Sequence, residues 1–317
     1  MAKKTSHPLR ERSGVGPWLL CAAGAAGVAL LACLLWYISS PVPLFFPGDS
    51  RLSHAGSAER GKLVFAAGEC ASCHASPGQS DKLLLGGGIA LASPFGTFRP
   101  PNISPDPVDG IGAWKVEDLA NALIAGVSPA GLHYYPAFPY TSYTGMTPDD
   151  VVDLFAYLNT LPPVRGRAPP HTPTILFSIR RSVGFWKLLF FRPMPERAST
   201  GNPSLDRGQY LVNSLSHCAE CHSSRNSLGA IKESTRFAGG IDPSGVGYIP
   251  NITPDGVGSW SQEQIVRMLT DAMTPDHGRV GSSMSDVVSN TSMLPESDRA
   301  AIALYVKSLP PKPTPQP

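Results

Sequence analysis

The chain has 317 residues, of which 42% are hydrophobic, enough for two domains of about 100–150 residues each. Charged residues make up 16% and the formal net charge is +2, so no basic stripe marks nucleic acid as a partner. The 33 prolines and 31 glycines point to short helices joined by loops wrapped around something.

Residues 1–17 carry Lys3, Lys4, Arg10 and Arg12 against a single Glu11, and an uncharged apolar run follows from Trp18 to Ile38. At ~1.5 Å per residue that run crosses a ~30 Å hydrocarbon layer. The positive-inside rule then keeps residues 1–17 in the cytoplasm and exports the rest. The alternative is a cleaved signal peptide, but the run exceeds the ~7–15 residues of a signal core and no A-x-A-like site follows it. Residues 18–38 are therefore expected to be an uncleaved anchor.

Two of the six cysteines, Cys21 and Cys33, lie inside the apolar run as packing residues. The other four fall in two C-x-x-C-H motifs, Cys70-Ala71-Ser72-Cys73-His74 and Cys218-Ala219-Glu220-Cys221-His222. Around them the exported chain is duplicated. Glu59-Arg60-Gly61 matches Asp206-Arg207-Gly208, Asn102-Ile103-Ser104-Pro105-Asp106 matches Asn251-Ile252-Thr253-Pro254-Asp255, and Gly112-Ala113-Trp114 matches Gly258-Ser259-Trp260. Each copy closes on an amphipathic helix. In the first, Thr147 is the predicted N-cap, Pro148 the first helical residue, and Val151, Leu154, Phe155, Leu158 and Leu161 the apolar stripe.

No alternating strand pattern is convincing, so the predicted fold class is all-α. The boundaries are a first domain over 52–164, a connecting segment over 165–200, a second domain over 201–311 and a disordered tail over 312–317. Gly61 and Gly208 are expected where opening and closing helices cross, against Tyr157 and Tyr305. The connecting segment, Ile175 to Phe191 above all, is too apolar for a free linker. It either packs between the two domains or a partner, or lies on a membrane surface with Arg180, Arg181 and Lys187 at the headgroups.

On a helix, positions i, i+3 and i+4 share a face, so both thiols and the imidazole of each motif point the same way. That suits covalent haem attachment: the thiols add to the two vinyl groups and the histidine reaches the iron. Zinc would need a fourth ligand at knuckle spacing and a thioredoxin-like site a βαβ context, and neither is evident. Two haem c groups are expected, on Cys70, Cys73 and His74 and on Cys218, Cys221 and His222. Carbonyls near Pro101 and Pro250 are candidates to fix the histidine tautomers. Trp114, Trp260 and Arg225 are candidates to meet haem propionates.

With these motifs, Asn102–Asp106 followed by Gly110-Ile111-Gly112, Tyr135-Pro136-Ala137-Phe138-Pro139-Tyr140 and Asn251–Asp255, each half resembles a class I cytochrome c domain. Residues from about 55 to 311 are similar to the membrane-anchored cytochrome c subunits of bacterial periplasmic alcohol, aldehyde or sugar-acid dehydrogenases. That resemblance implies a methionine thioether as the sixth iron ligand. Met284, 24 residues after Trp260, fits the second haem, with Met293 and Met273 as alternatives and Met268 read as core. The residue 24 after Trp114 is Phe138, which cannot ligate iron, and Met146 is the nearest methionine. Met146 is the expected ligand of the first haem, with His133 or an open iron as the alternatives.

The resemblance further implies an electron-transfer subunit, not itself an enzyme, at the bacterial inner membrane with its haem domains in the periplasm. It would pass electrons from a dehydrogenase to quinone or a terminal oxidase. A peroxidase-like dihaem enzyme with an open first haem is the main alternative, and a structural anchor or redox sensor a third.

Overall fold

The computed structural model describes residues 16–194 and 198–316. The charged residues that set the expected orientation, Lys3 to Arg12, lie outside them. Helix α1, Pro17–Ile38, is uncharged, opens on a proline and is long and apolar enough to cross a bilayer. From Pro41 onward the chain packs as one unit.

The first half places α2 (Ala58–Ala67), α3 (Cys70–His74), α4 (Val116–Ala120), α5 (Tyr140–Tyr143) and α6 (Pro148–Leu158) in order. The connecting segment forms α7 (Ile175–Ser178) and α8 (Ser182–Phe190). The second half follows with α9 (Pro203–Tyr210), α10 (Pro254–Val257), α11 (Gln262–Asp271), α12 (Ser283–Thr291) and α13 (Glu296–Ser308). A wider π turn extends α4 over Asn121–Ala125, and another extends α9 over Leu211–Leu215.

The all-α expectation needs amending, because short strands pair within the loops. Strands β1 (Leu91–Ser93), β2 (Gly96–Phe98) and β3 (Thr172–Pro173) form an antiparallel sheet, with Leu91 opposite Phe98 and Thr97 opposite Thr172. Strands β4 (Gly240–Ile241) and β5 (Tyr248–Ile249) form a second pair. At two or three residues each, none is long enough to show an alternating pattern in sequence.

The core is built around two equivalent crossings, α2 on α6 and α9 on α13. A Cβ on Gly61 would lie 1.9 Å from the Asp153 carbonyl oxygen and 2.8 Å from Tyr157 Cβ. On Gly208 it would lie 2.0 Å from the Ala301 oxygen and 2.8 Å from Tyr305 Cβ. Only glycine permits this approach, and the tyrosines are the partners expected. Each crossing is also locked by a bidentate ion pair, Arg60 to Asp153 (2.6 and 2.9 Å) and Arg207 to Asp298 (2.9 and 2.7 Å). Helix α6 starts as expected, with Thr147 Oγ1 accepting the Asp150 N–H and proline at its first position.

The chain leaves each half through the same clasp. Asn102 Nδ2 donates to the Val164 carbonyl at 2.6 Å, and Ser104 Oγ accepts the Val164 N–H at 2.9 Å. Asn251 Nδ2 donates to the Lys312 carbonyl at 2.8 Å, and Thr253 Oγ1 accepts the Lys312 N–H at 3.2 Å. Thr314 and Pro315 are held as well, by Asn251 and the Tyr248 hydroxyl. The tail over 312–316 is thus tied down where a disordered end was expected; composition could not show that side chains of the Asn251 loop capture its backbone.

The connecting segment reaches both halves. Arg180 donates to the His133 carbonyl (2.7 Å), Lys187 to the carbonyls of Ala125 and Gly126 (both 2.7 Å), and Trp186 Nε1 to the Leu228 carbonyl (2.9 Å).

A cofactor cavity shared by both motifs

Both C-x-x-C-H motifs line one connected cavity of about 1650 Å³, larger than the ~300–1,000 Å³ typical of a site for one small molecule. Its walls repeat in register. Ile103, Trp114, Leu119, Leu123, Leu154 and Leu158 of the first half answer to Ile252, Trp260, Ile265, Leu269, Ile302 and Val306 of the second.

Each motif is entered through a residue in the left-handed region, Glu69 (φ 55) and His217 (φ 37). The first motif is a helical turn; the second is tighter over Cys218–Glu220, with the His222 N–H still donating to the Cys218 carbonyl at 2.9 Å. His74 Nδ1 lies 2.8 Å from the Pro101 carbonyl and His222 Nδ1 2.7 Å from the Pro250 carbonyl. A carbonyl only accepts, so Nδ1 carries the proton and Nε2 offers its lone pair. Burial keeps both rings neutral, drawing His74 down to about 4 and His222 below its ordinary value against the opposing carbonyl bond. These are the carbonyls the spacing pointed to.

Burial pushes the thiols of Cys70, Cys218 and Cys221 up to about 12 and that of Cys73 up to about 11. They are far from the thiolates of a zinc or thiol-redox centre. Among the described residues no group of three His, Cys, Asp or Glu side chains is placed to hold a metal ion. Paired neutral thiols, an imidazole with a free Nε2 and an apolar cleft walled by tryptophans are the donor set of covalent haem.

A cytochrome c family model matches residues 58–162. A diheme cytochrome c-type protein of Cereibacter sphaeroides is 47% identical over 307 residues, covering 95% of this chain and 99% of that one. The chain belongs to the cytochrome c family. It carries two covalently bound haem c groups and works in electron transfer. A nicotinate dehydrogenase component of Pseudomonas putida is 37% identical over 92% of this chain, and the fructose dehydrogenase cytochrome subunit of Gluconobacter japonicus is 36% identical over 82%. The chain spans 25% and 54% of the length of those two proteins.

Met284 lines the cavity, as does Phe138 in the equivalent place. Met146 does not. It is 6% exposed within the hydrophobic core, in a turn fixed by its N–H to the Tyr143 carbonyl (2.8 Å) and by the next N–H, of Thr147, to the Tyr210 hydroxyl (3.1 Å). The expectation that Met146 reaches the first haem is corrected accordingly: the contact with α9 holds this turn in the core. His133 is buried off the cavity, Met273 is half-buried away from it, and Met293 is exposed away from it. Met268, read as core, lines the cavity from α11. Trp114 and Trp260 line it too, whereas Arg225 is turned to Glu220 (2.7 Å) and the Gly229 carbonyl (2.7 Å).

Sequence reasoning missed the clamps between the motifs. Ser72 and Glu220 occupy the same place within the two motifs, and each is held by the other half. Ser72 Oγ accepts from Asn290 Nδ2 at 2.9 Å, and Glu220 Oε1 accepts from Thr141 at 2.6 Å and Ser142 at 3.2 Å. The Tyr143 hydroxyl donates to the Gly68 carbonyl at 2.7 Å, and its ring lies 5.6 Å from that of His217. Glu69 sits among these groups, its carboxyl raised to about 8 by burial and then by Asp286. Glu220 stays low despite burial because Arg225, Thr141 and His217 favour the anion.

Proposed function

We propose that the protein relays electrons from a periplasmic dehydrogenase to quinone or a terminal oxidase, anchored by α1 as a single span in the bacterial inner membrane. Residues 52–164 and 201–311 then act as two class I cytochrome c domains in tandem. Cys70 and Cys73 hold one haem with His74 as proximal ligand; Cys218 and Cys221 hold the other with His222 proximal and Met284 distal. The haems supply a one-electron iron couple, while the chain orients the imidazoles, excludes water with apolar walls and fixes the distance between the centres.

The observation that carries this reading is the shared cavity, whose two motifs are clamped to each other through Ser72 and Glu220. Such an arrangement suits a hop between centres and leaves little reason for substrate to enter. The dehydrogenase is inferred from relatives named as cytochrome subunits of such enzymes.

Replacing Cys70 and Cys73 together by serine, and separately Cys218 and Cys221, should each remove half of the haem stain from a denaturing gel. An unchanged stain in either variant would sink the attachment sites. Membranes washed with carbonate should retain the protein, and removal of residues 1–40 should release it. Release of the full chain would refute the anchor.

A further inference from the structure

The two distal walls differ at one decisive position. Met284 and Phe138 stand at the same place in the repeat and both line the cavity. A thioether can close the sixth coordination position of an iron; a phenyl ring cannot. Phe138 is also held in place. Its ring packs edge-on against Tyr134 (5.5 Å), Tyr143 (5.8 Å) and Tyr140 (6.4 Å), a cage without a ligating replacement.

The other ligating side chains of the cavity are committed elsewhere. His171 Nδ1 accepts the Arg99 N–H at 3.0 Å, two residues before the Pro101 carbonyl that holds His74, which puts it on the proximal side. His217 belongs to the entry of the second motif and rests on Tyr143. Met268 answers to Ala122 and so belongs to the second half. The phenol of Tyr134, pushed up to about 12 by burial, stays protonated and offers no anionic oxygen. Met146 is fixed in the core.

We propose that the iron carried by His74 keeps its distal position open to a small neutral π-acceptor ligand, carbon monoxide or nitric oxide, under the Phe138–Tyr134–Tyr143 cage, while Met284 closes the other. This rests on the assignment of one haem to Cys70, Cys73 and His74. The site is selective by its walls: apolar, aromatic and shaped for a diatomic molecule, with the Tyr134 hydroxyl as the nearby polar group.

Detergent-purified full-length protein, reduced with dithionite and titrated with carbon monoxide, should bind one equivalent per chain and shift one of two Soret components. The oxidised protein should show the near-infrared thioether–iron band at the intensity of one haem. Phe138→Met should double that band and weaken carbon monoxide uptake at least tenfold. Met146→Ala should change neither reading, which keeps the test decisive if the first variant does not fold.

Absence of carbon monoxide binding, or a wild-type band of two-haem intensity that Met146→Ala halves, would overturn the proposal. Cys70→Ser/Cys73→Ser separates the two layers of the argument. Loss of one haem together with the carbon monoxide response supports both. Loss of the haem with the response retained overturns the open site alone, and retention of both haems overturns the attachment on which it rests.

Discussion

The helix crossings and the distal walls are both duplicated, yet they have diverged to different extents. At the crossings, Gly61 and Gly208, Tyr157 and Tyr305, and the Arg60–Asp153 and Arg207–Asp298 pairs are interchangeable to within a few tenths of an ångström. At the distal wall, Phe138 faces the place that Met284 takes in the other half. A backbone oxygen 1.9 or 2.0 Å from any added carbon tolerates no substitute, whereas a phenyl ring fills much the same volume as a methionine side chain. Packing is therefore kept alike in both copies, and the chemistry of the iron is what can vary.

The comparison breaks first at the ligand. Met284→Ala should abolish the thioether–iron band of the whole protein and lower the reduction potential of one haem, read by near-infrared absorption and redox titration. Persistence of the band would mean that the halves do not differ as described. Next come the crossings, where Gly61→Ala and Gly208→Ala should each cost about 1–3 kcal/mol of stability through overpacking. Chemical denaturation of the two variants should give similar losses, and a large inequality would show that the crossings are not equivalent.

Glu69 sharpens the contrast with its counterpart His217. Between the ordinary carboxyl value of 4.5 and about 8, the folded protein holds a proton that the unfolded chain has released. Stability must then fall as pH rises through that window. Glu69→Gln should remove a slope of about 1.4 kcal/mol per pH unit, measured as denaturation midpoints at pH 5 and pH 8. Equal slopes in the variant and the parent would exclude a buried, protonated Glu69. The smallest effect is expected at the clasps. Asn102→Ala and Asn251→Ala should each cost about 0.5–1.5 kcal/mol, with the second also raising proteolysis after residue 311.

What the sequence revealed was local or duplicated. The motifs, the Thr147 cap, the glycine crossings and the carbonyls at Pro101 and Pro250 all rest on short spacings or on matching copies. What it concealed joins residues distant in the chain. Asn290 and Ser72 are 218 positions apart, and Thr141 and Glu220 are 79 apart; single polar residues at such separations leave no periodic trace. Met146 was misplaced because counting residues along a loop gives reach but not direction, and here Tyr210 supplies the direction. Arg225 was misassigned because its partner Glu220 lies inside the motif, where the sequence offered no reason to look for a counter-ion.

The clasps have a bearing on how such chains are built. Asn102 and Ser104 grip Val164 where the first half hands the chain on, and Asn251 and Thr253 grip Lys312 in the same way. The clasp is in effect a coupling, a fixed exit from which the next segment departs with its cytochrome unit already closed behind it. Fusing a reporter or a further redox module after residue 316 would use the junction that already joins the two halves, so this scaffold is suited to extension by concatenation from that end.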